Sequence, residues 1–243
     1  MDDRTVGFSA RDRLVPLQDS QRPGSGMMRF LDAQDGFVAQ FPYSGADGIS
    51  PCFTRGTMIA TARGEIAVER LAVGDKVITR DSGLQIIRWI GGRRINSDLC
   101  LTHRHLAPVR IRKGALGNDL PERDMMVSPN HRMLVANDKT ALHFEDTEVL
   151  VAAKHLTGLA GVNVVYDVQT AYLHLMFDCH EVILSDGAWS ESFQPDAQTL
   201  AGIGNAQRLE ILELFPELST PEGLRGYGTA RRTVRSGEVV SLR

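Results

Sequence analysis

The sequence predicts an all-β domain followed by a short helical tail, and three features of the 243 residues support this fold class. Short runs of β-branched and other apolar residues recur along the chain. Tight-turn residues separate these runs, as at Gly74-Asp75, Asp81-Ser82-Gly83 and Gly91-Gly92. Helical periodicity is confined to Asp196 to Phe215, where Pro216 would end the helix. Many short strands joined by tight turns are typical of an all-β fold.

The predicted strands follow one another from residue 66 to residue 184. In chain order they lie at 66–68, 77–78, 86–87, 109–112, 125–127, 133–135, 149–152, 164–168 and 182–184. Residues 1–51 carry scattered Gly, Asp, Ser and Arg and are predicted to be a poorly ordered leader with one hairpin. The chain therefore divides into a leader (1–51), a compact domain (52–192) and a helical tail (193–243), in which residues 223–243 form loop and one short strand.

Composition and charge exclude several classes of protein. Lys and Arg total 27 against 30 acidic residues, so no overall attraction to nucleic acid is expected. Seven basic residues and one acid lie between Arg88 and Lys113, but Asp119 to Glu148 holds seven acids and three basic residues, and the two stretches can neutralise each other. No apolar run approaches the roughly 18 residues of a membrane span. The acidic start of the chain predicts no secretory signal.

Three cysteines, Cys52, Cys100 and Cys179, cannot form a disulfide framework and leave at least one thiol free. Such thiols fit the cytoplasm, and secretion by a signal-independent route would leave no N-terminal mark, so the compartment stays open. Cys52 stands where the composition changes, directly before a strand-forming segment, and it is the candidate nucleophile. Cys100 and Cys179 are interpreted as buried hydrophobic residues.

A second motif lies about eighty residues after Cys52. Val127-Ser128-Pro129-Asn130-His131 places a hydroxyl three residues before a histidine in a strand-rich setting. Taken alone, Ser128 and His131 could be a turn residue and a satisfied core histidine. His131 could also join His103 and His105 in a zinc site, but no fourth ligand can be assigned, so no metal and no cofactor are predicted.

Together these segments resemble four blocks of the Hint superfamily, the self-processing domains of hedgehog proteins and inteins. The blocks are, in order, Cys52 with Gly56-Thr57, then Val73 to Val77, then Val127 to His131, then Val165-Tyr166-Asp167-Val168 with His174. The resemblance covers residues 52–192 and is strongest to bacterial Hint proteins of the hedgehog type, which do not splice. It implies a compact, horseshoe-like all-β fold with its ends close together.

The resemblance also implies an N-to-S acyl shift, in which the Cys52 thiol attacks the carbonyl of Pro51 and makes a thioester. An amide is a poor acyl donor, so the reaction needs an activated thiol, a proton for the departing nitrogen and donors for the oxyanion. By resemblance, His131 would protonate that nitrogen and Ser128 would orient the peptide. Asp167 would position or deprotonate the thiol, and His174 would support the intermediate.

The sequence departs from the splicing pattern at two points. No His-Asn pair follows Val182-Ile183-Leu184, and Gly187 stands where an acceptor residue would lie, so efficient splicing is not expected. Pro51, before the nucleophile, restricts the approach geometry. The prediction is cleavage at Cys52, with the chain's own leader as substrate in cis and an unidentified external nucleophile. Two alternatives stay open: a Hint-fold binding or structural module without catalysis, and a Cys–His hydrolase acting in trans.

Overall fold

The computed structural model describes residues 50–136, 140, 142–143 and 146–238, and strands dominate them. The fold class predicted from the sequence is confirmed. The strands are β1 (Phe53–Thr54), β2 (Met58–Thr61), β3 (Gly64–Ala67), β4 (Lys76–Ile78), β5 (Leu84–Ile86), β6 (Trp89–Ile95), β7 (Val109–Ile111), β8 (Met125–Val127), β9 (Arg132–Val135), β10 (Val149–Ala152), β11 (Val162–Val164), β12 (Thr170–Met176), β13 (Val182–Ser185) and β14 (Ala188–Glu191).

Short helices accompany the strands, among them α1 (Ser97–Thr102), α2 (Ala153–Leu156), α3 (Ala197–Gly202), α4 (Asn205–Leu214) and α5 (Pro221–Gly226). Single 3-10 turns lie at Val68–Arg70, Arg104–Leu106 and Pro216–Ser219. No helix among these residues has the length and apolar character needed to cross a membrane. The predicted leader lies outside the described residues, apart from Ser50 and Pro51.

The first sheet has six strands in the order β11-β7-β8-β1-β12-β6. The short β1 lies between β8 and β12, with Phe53 paired to Val127 on one side and to Leu173 on the other. Because β1 and β8 are antiparallel, the start of β1 lies beside the end of β8. Cys52 is therefore brought next to Ser128 by the ladder itself.

The longest ladder joins β12 to β6 over seven residue pairs, from Thr170–Ile95 to Met176–Trp89. The sequence predicts a turn at Gly91-Gly92, and that prediction is wrong, since both glycines lie inside β6. His174 pairs with Gly91, and a β-carbon on Gly91 would overlap the Trp89 ring. A β-carbon on Gly92 would come within 2.7 Å of the Tyr172 carbonyl oxygen. Close packing against neighbouring groups, rather than a reversal of the chain, explains the pair.

The second sheet has eight strands, in the order β10-β9-β14-β13-β2-β4-β5 with β3 paired to β2. The β13–β14 hairpin turns at Asp186 and Gly187, which both have positive φ, at 48° and 79°. Two residues with positive φ match the tight turn that right-twisted hairpins favour, and Asp-Gly is a preferred sequence for it. The hairpin brings Glu191 beside the start of β9, where Arg132 follows His131.

The C-terminal segment differs from the single predicted helix at 196–215. Asp196 caps α3 through a capping box with Thr199, but the chain becomes extended at Ile203, and α4 starts after Gly204. A further helix, α5, forms where loop is predicted. Apolar residues of this segment pack against Trp89 and Met176 of the first sheet: Phe193, Leu200, Ile203, Ile211, Phe215, Leu218 and Tyr227.

Candidate functional site

The candidate nucleophile, Cys52, lies directly before β1 and is almost completely buried. Its Sγ donates to the Ser50 carbonyl oxygen at 3.0 Å and lies 3.6 Å from Nε2 of His174. Burial raises the pKa of the Cys52 thiol from 9.0 to about 12, although the positive charge of Arg93 and the hydrogen bond with Ser128 oppose the rise. The thiol is therefore protonated near neutral pH and needs a base before it can attack.

Ser128 holds the backbone on both sides of Pro51. Its Oγ accepts from the Cys52 N–H and donates to the Ser50 carbonyl oxygen, each at 2.9 Å. Its own N–H donates to the Cys52 carbonyl oxygen, also at 2.9 Å. The backbone from Ser50 to Cys52, which includes the Pro51–Cys52 peptide, is thus held by hydrogen bonds to one buried residue. The orienting role expected of Ser128 stays a prediction.

His174, in the middle of β12, contacts the groups that would react. Its Nδ1 is 2.8 Å from the carbonyl oxygen of Pro51, and its Nε2 faces the thiol. A carbonyl oxygen only accepts hydrogen bonds, so Nδ1 must carry the proton. Burial lowers the pKa of His174 from 6.5 to about 4, although the bond to Pro51 opposes this. The ring is therefore neutral near pH 7, with the Nε2 lone pair available to Cys52.

Two aromatic side chains enclose the His174 ring. Trp89 lies nearly parallel to it, with 17° between the planes and 6.1 Å between the centroids. Phe193 meets it edge-on, with the centroids 5.1 Å apart. Gly91, opposite His174 on β6, leaves the space that the Trp89 ring occupies. The imidazole is consequently held between apolar surfaces that exclude water.

His131 is also buried, but its surroundings differ. Neither ring nitrogen has a hydrogen-bond partner among the described residues. The ring packs edge-on against Phe53, with 4.4 Å between the centroids. Burial lowers the pKa of His131 from 6.5 to about 3, and the charges of Arg132, His174 and His180 lower it further. The Cys52 N–H donates to Ser128 Oγ, and no hydrogen bond joins it to the His131 ring within the described residues.

Asp167 is the one predicted site residue that the structure leaves exposed. It lies between β11 and β12, and no hydrogen bond joins it to Cys52 within the described residues. The neighbouring Tyr166 stacks with Arg104, whose guanidinium carbon is 5.5 Å from the ring centroid. The structure thus places His174, rather than Asp167, beside the thiol.

A buried carboxylate that the sequence analysis missed lies behind the site. Glu191 accepts from the Arg132 N–H at 2.7 Å and from the Arg132 guanidinium at 2.9 Å. Its second oxygen lies 3.3 Å from Nε2 of His180, whose Nδ1 accepts from the Ala230 N–H. A buried acid needs such partners. The network ties β14 to the backbone directly after His131.

Trp89, Arg93 and Phe193 also lie at the site and were not predicted from the sequence. A period of two along β6 puts Trp89, Gly91 and Arg93 on one face, but the double glycine that predicts a turn conceals this pattern. The alternative zinc site is not supported: within the described residues, no group of three or more His, Cys, Asp or Glu side chains is arranged to hold a metal. His103 and His105 instead contact each other, with ring centroids 6.0 Å apart.

Comparison with known proteins gives one family. The profile of the Hint domain matches residues 51–197. No curated protein matches the chain significantly.

Several solved structures are similar at low identity. A bacterial intein-like domain from Clostridium thermocellum is 13% identical over 60% of this chain and 99% of that domain, with a TM-score of 0.39. A splice-inactive variant of the AceL NrdHF class 3 split intein is 15% identical over 58% of this chain and 97% of its own, with a TM-score of 0.38. The gp41-1 intein is 9% identical over 58% and 98%, with a TM-score of 0.36.

Proposed function

Because this chain belongs to the Hint domain family, we propose that it cleaves its own backbone between Pro51 and Cys52 through an N-to-S acyl shift. Membership in the family indicates autoprocessing or splicing-type chemistry in general. The choice of bond, the roles of the residues and the absence of splicing are our proposal. The observation that carries it is the position of His174, whose two nitrogens reach the Pro51 carbonyl oxygen and the Cys52 sulfur.

The first step is removal of the thiol proton. A thiol with a pKa of about 12 is a poor nucleophile at neutral pH, so a neighbouring base must accept the proton as sulfur attacks. Nε2 of His174 lies 3.6 Å from Sγ and is unprotonated in the tautomer that the Pro51 bond requires. In the resting state the thiol instead donates to the Ser50 carbonyl, so a rotation about the Cys52 side chain precedes the transfer.

The same imidazole stabilises the oxyanion. As the Sγ–C bond forms, the Pro51 carbonyl oxygen becomes negative, and the Nδ1–H of His174 already donates to it. Once Nε2 has taken the thiol proton, the ring is an imidazolium, and its bond to the oxyanion becomes charge-assisted. One residue therefore assists both the nucleophile and the developing charge.

The second step breaks the C–N bond and gives the nitrogen a proton. The balance closes when the proton that His174 took from sulfur passes to His131 and from there to the Cys52 nitrogen, while the acyl group moves to sulfur and both rings return to their neutral forms. We assign the delivery to His131, as the family resemblance implies, with Ser128 releasing the N–H as the tetrahedral centre forms. His131 is neutral in the resting site, since the pKa of its ring is lowered to about 3, so it delivers a proton only after it has received the one held by His174.

The thioester is then resolved by water or by another external nucleophile, which frees the segment upstream of Cys52. Splicing is not part of the proposal, as Asp186 and Gly187 form a hairpin turn in which the Asp186 carboxylate accepts from the Met58 N–H. That carboxylate is committed to the fold. The segment ending at Pro51 is accordingly the substrate in cis, and the hedgehog-type, non-splicing character stays a prediction.

One competing function has an observation in its favour. The raised pKa of the Cys52 thiol and its bond to the Ser50 carbonyl also suit a Hint module that has kept the fold and lost processing. A hydrolase acting in trans is less consistent with the geometry, because Ser50, Pro51 and Cys52 are all buried and already occupy the position of a substrate.

Intact mass spectrometry of freshly purified protein, with and without dithiothreitol or hydroxylamine, tests the proposal. We expect the thiol and hydroxylamine to release two fragments, one ending at Pro51 and one beginning at Cys52, with hydroxylamine leaving a hydroxamate on Pro51. Cys52→Ala should stay intact, and Cys179→Ala, which removes an exposed thiol away from the site, should cleave like wild type. A wild-type chain that stays intact under all conditions would identify the non-processing module.

A further inference from the structure

Helix α4, in the C-terminal segment, forms two side-chain hydrogen bonds to β6 beside the candidate site. The Gln207 side-chain amide donates to the Gly92 carbonyl oxygen at 3.0 Å, and Glu210 Oε2 accepts from the Trp89 indole N–H at 3.0 Å. These two residues stand three apart and so lie on one face of the helix. The same helix buries Ile211 in the apolar cluster that contains Trp89 and Phe193.

Trp89 links these α4–β6 hydrogen bonds to His174, because it contacts both the helix and the imidazole. The indole N–H bonds to the helix, while the ring lies over Gly91 and nearly parallel to the imidazole. A histidine ring rotates readily about the Cβ–Cγ bond, because the energy changes little over a wide range of the χ2 torsion angle. The His174 ring can contact the Pro51 carbonyl oxygen and the Cys52 sulfur together in only one orientation. The side chains that prevent the ring from rotating therefore determine whether both contacts form.

We propose that Glu210 and Gln207 are positioning residues for His174, which act through Trp89 and β6 to hold the imidazole between the Cys52 thiol and the Pro51 carbonyl. This inference rests on the proposed function. It makes the C-terminal helices part of the processing machinery, although α4 lies beyond residue 197, where the match to the Hint profile ends.

Loosening Trp89 should also change the electrostatics of the ring. The pKa of His174 is about 4 because the ring is buried, and the other titratable or charged groups that interact with it are Cys52, His131 and Arg93. If the indole moves away, water reaches the imidazole and the main cause of the low pKa is weakened. The pKa of His174 should then rise toward 6.5.

The test compares three single variants of α4. Glu210→Ala removes the acceptor, and Glu210→Gln keeps an acceptor oxygen. Glu213→Ala removes an exposed carboxylate from the same helix and serves as the matched control. We expect Glu210→Ala to slow thiol-induced cleavage about three- to tenfold, the fold-change that corresponds to one lost hydrogen bond. Glu210→Gln and Glu213→Ala should cleave like wild type, and Gln207→Ala combined with Glu210→Ala should be slower than Glu210→Ala.

A second measurement separates positioning from general loss of stability. The same substitutions are placed in the non-cleaving Cys52→Ala background, and the His174 ring is titrated by NMR. Glu210→Ala should raise the pKa of His174 and Glu213→Ala should leave it unchanged. A merely structural role would lower the unfolding temperature without moving this titration.

The two readouts distinguish failure of this inference from failure of the proposed function. If wild type cleaves but Glu210→Ala and the double variant change neither the rate nor the His174 titration, the positioning role is wrong. If wild type never cleaves and Glu210→Ala still shifts the His174 titration, the positioning of His174 by α4 is supported and the proposed self-cleavage is wrong.

Discussion

Two buried histidines near Cys52, on opposite sides of the short strand β1, have surroundings that differ in one respect. His174, on β12, has a polar partner at each ring nitrogen, whereas His131, after β8, has none among the described residues. Burial lowers the pKa of both rings, so burial does not distinguish them. The difference lies in hydrogen bonding: His174 contacts the Pro51 carbonyl oxygen and the Cys52 sulfur, whereas the ring nitrogens of His131 are left for the later proton delivery that we propose.

The largest effect that tests this contrast is loss of the His174 imidazole, the base in our proposal. Replacing His174 by Gln should slow thiol-induced cleavage about 10²–10⁴-fold, the usual contribution of a positioned acid–base group. The pH dependence should change as well. The wild-type rate should be level above about pH 4, where His174 is neutral. The variant should depend on free thiolate and rise about tenfold per pH unit.

Rates from quenched-flow or manual sampling, analysed by mass spectrometry from pH 5 to 9, give both quantities. His105→Gln, on an exposed turn, is the control. Asp167→Asn should cleave at close to the wild-type rate, since that carboxylate is exposed and forms no hydrogen bond to the thiol within the described residues. A loss in Asp167→Asn as large as in His174→Gln would return the role of base to Asp167.

From the sequence it was easier to predict which residues lie at the candidate site than to predict which side chain contacts the Cys52 thiol. The position of Cys52 before a strand and the Ser128-x-x-His131 spacing were enough to bring Cys52 and Ser128 together as candidates, because both lie at strand ends that pair with each other. Their roles in the reaction stay a prediction. The partner of the thiol was harder to predict. Which of Asp167 and His174 faces Cys52 depends on the register of β12 against β1, in which Leu173 pairs with Phe53. That pairing joins residues far apart in the chain, and the Gly91-Gly92 pair conceals the length of β6, the other neighbour of β12.

The next effect concerns Ser128, which holds the backbone on both sides of Pro51 by two hydrogen bonds of its hydroxyl. Ser128→Ala removes the acceptor for the Cys52 N–H and the donor to the Ser50 carbonyl. We expect cleavage to slow by about ten- to a hundredfold and the free energy of unfolding to fall by about 1–3 kcal/mol, the cost of unpaired buried groups. Ser128→Thr keeps the hydroxyl and should recover most of the rate. Single-turnover cleavage measures the rate, and urea unfolding measures the free energy of unfolding. Equal cleavage rates for Ser128→Ala and Ser128→Thr would show that the hydroxyl has no part in the mechanism.

Apolar replacement should affect the two histidines in opposite ways. His131→Leu removes two unpaired buried nitrogens and should stabilise the domain by about 1–3 kcal/mol, even as it impairs cleavage. His174→Leu leaves the buried Pro51 carbonyl without its donor and should destabilise by a similar amount, about 1–3 kcal/mol. Urea unfolding in the non-cleaving Cys52→Ala background measures both. Destabilisation by both substitutions would show that His131 has a polar partner in solution and would end the contrast.

The smallest effect is the dependence of stability on pH. For both rings the pKa in the folded chain, about 3 for His131 and about 4 for His174, is below the ordinary value of 6.5. At a pH between the folded-state pKa and 6.5, each histidine binds more protons in the unfolded chain than in the folded chain. Stability from this source is therefore complete above pH 6.5 and is lost as pH falls, by at most about 1.4 kcal/mol per pH unit for each ring.

The difference between variants isolates this term, since groups such as Asp186, whose pKa is raised to about 6 by burial, titrate in the same range with opposite sign. In the Cys52→Ala background, the advantage of His131→Leu over the parent chain should grow as pH falls from 7 to 5, because only the parent retains the ring that resists protonation. Urea unfolding at each pH gives the two curves. If the curves run parallel, His131 is protonated as easily in the folded chain as in the unfolded one. The neutral, unpartnered ring that distinguishes His131 from His174 would then be disproved, and His131 could enter the reaction already charged.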